Sequence, residues 1–145
     1  MIIYVNIMSI NQTTFFVMTY PISRYSAMSL IFLTLAVALG AIGSHFLESK
    51  LSGGLQQRWE TAVHYQYWNA LGLMGLSLLE RSYRVSLQLD MKFIIAGILL
   101  FSGSLYMLCL APNPWFVYFT PLGGISLLIG YTGAAIRLVR IPNES

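Results

Sequence analysis

From Met28 to Phe46 the chain runs through MSLIFLTLAVALGAIGSHF without one charged side chain, and from Phe93 to Leu110 it does so again in FIIAGILLFSGSLYMLCL. Each stretch approaches the ~20 apolar residues that a helix needs to cross a ~30 Å hydrocarbon layer. Inside such a layer a backbone must satisfy its own N–H and C=O groups, and for an isolated run of this length only the α-helix does so. Two further runs follow the same plan, so the expected spans are residues 28–46, 57–79, 93–110 and 116–138. Between the third and fourth stands only Ala111-Pro112-Asn113-Pro114-Trp115, a link that forces antiparallel neighbours.

A soluble bundle of equally greasy helices is the competing architecture. It fails on surface chemistry, because 9% of the residues are charged, against roughly 25% in ordinary soluble domains. The charges also sit between the apolar runs. The expected fold is therefore an all-α integral membrane four-helix bundle with antiparallel neighbours. Counting Lys and Arg beside the spans orients it. Arg24, Arg81, Arg84, Lys92, Arg137 and Arg140 fall on one side and Lys50 and Arg58 on the other, so both termini face the cytoplasm. The net charge of +3 comes from these loops and gives no nucleic-acid footprint. Membrane lipids are the expected surroundings, with a homo-oligomer or a larger membrane complex as partners.

Residues 1–27 fit this plan poorly. They lack the basic n-region of a signal peptide, and Asn11-Gln12-Thr13-Thr14 interrupts their apolar residues. Pro21 would break a helix. The segment reads as an interfacial or disordered extension, or as sequence upstream of a start at Met28. The domain itself runs from 28 to 140, and 141–145 form a polar cytoplasmic tail.

The second span, WETAVHYQYWNALGLMGLSLL (Trp59–Leu79), is the polar one, with Glu60, His64, Gln66 and Asn69 in its first half. At ~1.5 Å per residue, antiparallel spans bring these to the depth of His45, Ser102, Ser104, Tyr106 and Thr120 on the other helices. A polar cluster in the outer half of the membrane is expected from these nine residues. Glu60 and His64 are i, i+4, so a carboxylate could orient the imidazole. Small residues at four-residue spacing, Ala36, Gly40 and Ser44 on the first span and Ser126, Gly130 and Ala134 on the fourth, make two faces for close helix packing.

Three kinds of task suit such a cluster. The first is interhelical hydrogen bonding that fixes the packing. The second is a proton or small-solute path, since intramembrane His and Glu mark relays, although four short helices leave little room for a lumen. The third is a metal or catalytic site, which the spacing does not favour: there is no HExxH, no G-x-S-x-G elbow and no phosphate loop. Cys109 stands alone in an apolar run, which excludes an internal disulfide. No catalytic residue, metal ligand or cofactor is expected, and the first task is the preferred one. A minimal transporter or channel component is the alternative.

The motifs ALGAIGSHF (Ala38–Phe46), ETAVHYQYWNAL (Glu60–Leu71), FSGSLY (Phe101–Tyr106) and TPLGG (Thr120–Gly124), one per span and in this order, resemble the YgdD-like family of small four-helix bacterial inner-membrane proteins, which has distant eukaryotic relatives. The resemblance covers about Met28 to Arg140. It implies the fold and an inner-membrane location, and it brings no activity with it. Two positions depart from the family pattern, which usually has Arg in place of His64 and His in place of Asn69. A role needing a permanent charge at the first, or an imidazole at the second, is not carried over.

Overall fold

A computed structural model describes residues 2–7, 14–19, 23–47, 50–111 and 113–141. Four long helices follow one another: α1 (Arg24–Ile42), α2 (Gly53–Tyr83), α3 (Gln88–Leu110) and α4 (Phe116–Val139). Ahead of them β1 (Ile2–Ile7) and β2 (Thr14–Thr19) pair antiparallel, Ile2 opposite Thr19 and Ile7 opposite Thr14. Two runs rich in β-branched and aromatic residues account for this ribbon. Pro21, Pro112 and the tail beyond Ile141 lie outside the described residues.

Three boundaries move relative to the expected spans. α1 starts at Arg24, four residues before Met28, because Ser23 Oγ accepts the Tyr25 N–H at 3.3 Å and caps the helix. α2 is 31 residues long and outruns 57–79 at both ends. α3 begins at Gln88 instead of Phe93, so Asp90 and Lys92 are helical and the loop before them shrinks to residues 84–87. Arg84 makes that tight turn in the left-handed region, φ 52° and ψ 32°. Glu80 Oε1 holds it from the other side by accepting the Leu87 N–H at 2.9 Å. At its far end α1 continues into a π-helical turn, Gly43–Leu47.

Helices that are consecutive in the chain pack side by side. One core cluster joins Leu73 and Leu76 of α2 to Met91, Ile94 and Ile98 of α3 and to Leu127 and Ala134 of α4, with Tyr25 of α1 at its edge. A smaller one, Trp59, Ala62, Tyr106 and Cys109, closes the end where α3 turns into α4. The tightest approach is between α3 and α4. A Cβ at Gly130 would stand 2.7 Å from Ile94 Cγ1 and 2.8 Å from the Asp90 carbonyl, and one at Gly123 would collide with the Phe101 backbone. Ser126 and Ala134 are buried on the same face, which is how a small-residue stripe lets two backbones meet. By length and composition α1 (extended to His45), α3 and α4 are apolar enough to cross a membrane. The polar first half of α2 keeps it out of that group.

Candidate functional site

Gln66 is the centre of the buried polar residues. Its Nε2 donates to the Phe32 carbonyl of α1 at 2.9 Å, and its Oε1 accepts from the Tyr106 hydroxyl of α3 at 3.1 Å. A carbonyl can only accept, so the amide orientation follows from its partners. About two turns away Trp59 is buried with its Nε1 donating to the Leu39 carbonyl at 2.9 Å and its ring 4.8 Å, edge to face, from Tyr106. Ser29 Oγ donates to the Ala70 carbonyl at 2.6 Å, and the Ser26 and Ser77 hydroxyls lie 2.8 Å apart. Together these tie α1 to α2 along most of their length. Between α3 and α4, the Ser104 hydroxyl, which donates to the Phe101 carbonyl of its own helix at 2.9 Å, pairs with the Thr120 hydroxyl at 2.7 Å, and Ser126 donates to the Phe93 carbonyl at 2.7 Å.

The nine residues of the expected cluster do not form one chamber. Gln66, Tyr106, Ser104 and Thr120 link helices. Asn69 is buried but turns back on its own helix, donating to the Tyr65 carbonyl at 2.7 Å. Ser102 is buried with no hydrogen-bond partner among the described residues. His45, Glu60 and His64 are exposed on the outside of the helices. Glu60 accepts from Gln56 Nε2 at 3.4 Å, and among the described residues its carboxylate makes no hydrogen bond or ion pair with His64. His64 has no hydrogen bond or ion pair among the described residues. Of the α1 stripe, Ala36 is buried and Gly40 faces Val63 of α2, whereas Ser44 is exposed and bonds its own helix at the Gly40 carbonyl. The helical pitch is the reason: Glu60 sits 100° around the wheel from Trp59, and only the Trp59 side faces the neighbours.

Beside Glu60 and His64 runs a groove of about 390 Å³ between α2 and the end of α1. Its other wall is Gly40 of α1 with Gly43 and Ser44 of the π turn, where the two glycines leave the space. A Cβ at Gly43 would lie 2.6 Å from the Trp59 ring, so the π turn can rest on the indole only through a glycine. Among the described residues no group of three or more His, Cys, Asp or Glu could hold a metal ion.

Asp90, which lies between the second and third expected spans, is the buried acidic side chain among the described residues. It is 3% exposed in the first turn of α3, its Oδ1 packed over Gly133 of α4. Arg137 Nε lies 2.9 Å from Oδ2 at an angle too poor for a hydrogen bond, so the pair is held by charge. The helix N-terminus adds a second favourable field for the carboxylate. The available signal was its place three residues after the turn, opposite an Arg at the end of an antiparallel helix.

Residues 39–124, from the end of α1 to the start of α4, match the family model described as "Protein of unknown function (DUF423)". The chain belongs to the DUF423 family. Among its relatives, the UPF0382 inner membrane protein YgdD of Escherichia coli strain K12 is 34% identical over 110 residues, 74% of this chain and 83% of that protein. The UPF0382 membrane protein YwdK of Bacillus subtilis strain 168 is 38% identical over 108 residues, 73% of this chain and 88% of its own. A UPF0382 membrane protein of Staphylococcus epidermidis strain ATCC 12228 is 37% identical over 106 residues, 73% and 87% of the two chains. No solved structure matches the chain. This DUF423 chain is thus a helical membrane protein of a family whose function is not known, and the matched segment contains Trp59, Gln66, Tyr106, Thr120 and the groove at Gly40–His64.

Proposed function

We propose that this chain is a four-pass protein of the bacterial inner membrane, with both termini cytoplasmic, that acts as a helix-packing or accessory component and not as a conduit. The observation that carries this reading is the use of the buried polar side chains: among the described residues Ser29, Gln66, Ser104 and Ser126 make interhelical hydrogen bonds, Asn69 bonds its own helix and Ser102 has no partner, while Glu60 and His64 stand on the outside. Four passes are supported by packing. α2 is bonded to α1 from Leu39 to Ser26 and runs antiparallel to it, so an apolar α1 and α3 that cross the bilayer carry α2 back between them. The inner-membrane location draws on the printed names of the relatives, and the orientation on the six basic residues at the α2–α3 end against two at the other.

Purified protein in liposomes tests the role. No movement of protons or small solutes above empty vesicles is expected; flux above that background overturns it. Non-catalytic behaviour is part of the same reading, since the buried serines and Cys109 hydrogen-bond to backbone or to other hydroxyls apart from Ser102, which has no base beside it among the described residues.

A further inference from the structure

Glu60, His64, Tyr67, Leu71, Met74 and Leu78 are all exposed or half-buried on α2, and their spacing of 4, 3, 4, 3, 4 is the repeat that keeps one seam of a helix turned toward another helix. On the wheel this seam is well away from the buried line of Trp59, Gln66, Ala70, Leu73 and Ser77 that serves α1 and α3. It carries ionisable groups at depth. Leu55 is level with the end of α3, because its carbonyl accepts from Cys109 Sγ at 3.3 Å, so Glu60 and His64 lie about 7 and 13 Å further in at ~1.5 Å per residue. Side chains of this kind inside a membrane face a partner or water, and rarely lipid. We propose that a second copy of this chain docks on the α2 seam, in parallel, with the carboxylate of Glu60 in each copy against the imidazole of His64 in the other.

The pattern is self-complementary, which a two-fold interface demands: what residue i does to j, j does to i. In a parallel pair of this repeat, the knob at position 64 sits beside position 60 of the facing helix, so one acid and one base per chain form two reciprocal contacts. His64, Leu71 and Leu78 share one heptad position and each also meets its own counterpart across the axis, so the Glu60–His64 contacts run diagonally between successive layers of the seam. The groove of about 390 Å³ next to Glu60 and His64 is open on the same side and receives side chains from the second copy. The docking surface rests on the accessory reading and names its partner.

Disulfide cross-linking in native membranes tests it, on full-length protein carrying Cys109→Ala. Leu71→Cys is expected to give a covalent dimer of two identical chains on oxidation, and Leu128→Cys, on the outer side of α4, to stay monomeric. His64→Glu, which sets carboxylates against each other, lowers the Leu71→Cys dimer yield several-fold, and the exchange Glu60→His with His64→Glu restores it. A monomer at Leu71→Cys, a dimer only at Leu128→Cys, or a Leu71→Cys adduct with a different protein each overturns the second copy. The adduct leaves the accessory role standing, whereas solute flux in liposomes would remove the role with or without a dimer.

Discussion

Gln66 uses both ends of one amide to hold three helices, and a membrane interior offers no water to replace a lost partner. Interhelical hydrogen bonds of this kind contribute ~0.6 to ~1.7 kcal/mol each in membrane proteins. Gln66→Leu is therefore expected to lower thermal stability in detergent by about 1–2 kcal/mol, and a double-mutant cycle with Tyr106→Phe to return a coupling of at least a few tenths; additive losses would show that the 3.1 Å contact carries no stability. Glu60→Gln probes the same idea from outside. With Glu60 on the exposed face, the bundle itself should melt unchanged. Arg84 is strained: a left-handed backbone costs an ordinary residue roughly 1 kcal/mol, so Arg84→Gly should raise the unfolding free energy by up to that amount. Trp59, Glu60 and Gln66 stand close together in the sequence as polar or amphipathic residues of one span. Which of them turns inward was not legible there, because the direction of a helix face is set by its neighbours and not by its own residues.

For elements, the α3–α4 pair was the most readable part of the chain. The short Pro-bearing link and the Ser126–Gly130–Ala134 spacing both point to close antiparallel packing, and the helices meet along that face. Gly130→Ala forces a methyl to within 2.7 Å of Ile94, an overpacking that costs about 1–3 kcal/mol. Gly103→Ala on α3 meets nothing within 4 Å and should leave stability equal or slightly higher, since Ala is the better helix former by ~1 kcal/mol. Melting curves of the two variants in one detergent compare them directly; equal losses would mean that the helices do not meet at Gly130. The α1 stripe behaves differently. It has the same spacing, yet only Ala36 and Gly40 reach α2, because the helix gives way to a π turn before Ser44 and rotates that residue out.

Across the whole molecule, Asp90 and Arg137 join the first turn of α3 to the last turn of α4 at the end that also holds the basic loop. Removing Arg137 leaves a buried carboxylate with no counter-charge, whereas Asp90→Asn removes the charge that needs one. Arg137→Met should therefore destabilise more than Asp90→Asn, by about 2 kcal/mol once the partial exposure of the guanidinium is allowed for. The reverse order in chemical denaturation would assign Asp90 another counter-charge. Topology is tested at the same end: a lone cysteine at the exposed Ser86, in a Cys109→Ala background, should resist impermeant thiol reagents added to intact cells. Ready labelling would invert the proposed orientation.

Length and the absence of charge determined that this chain makes membrane-spanning helices, because a bilayer admits little else, and the short links determined that neighbours run antiparallel. The motifs also carried the family. Tertiary structure alone decided the inward and outward faces of α2, the burial of Asp90 and the separation of Gln66 and Tyr106 from Glu60 and His64. Each of those depends on which side of a helix meets another helix, and a 3.6-residue pitch that is hydrophobic nearly all round does not declare it.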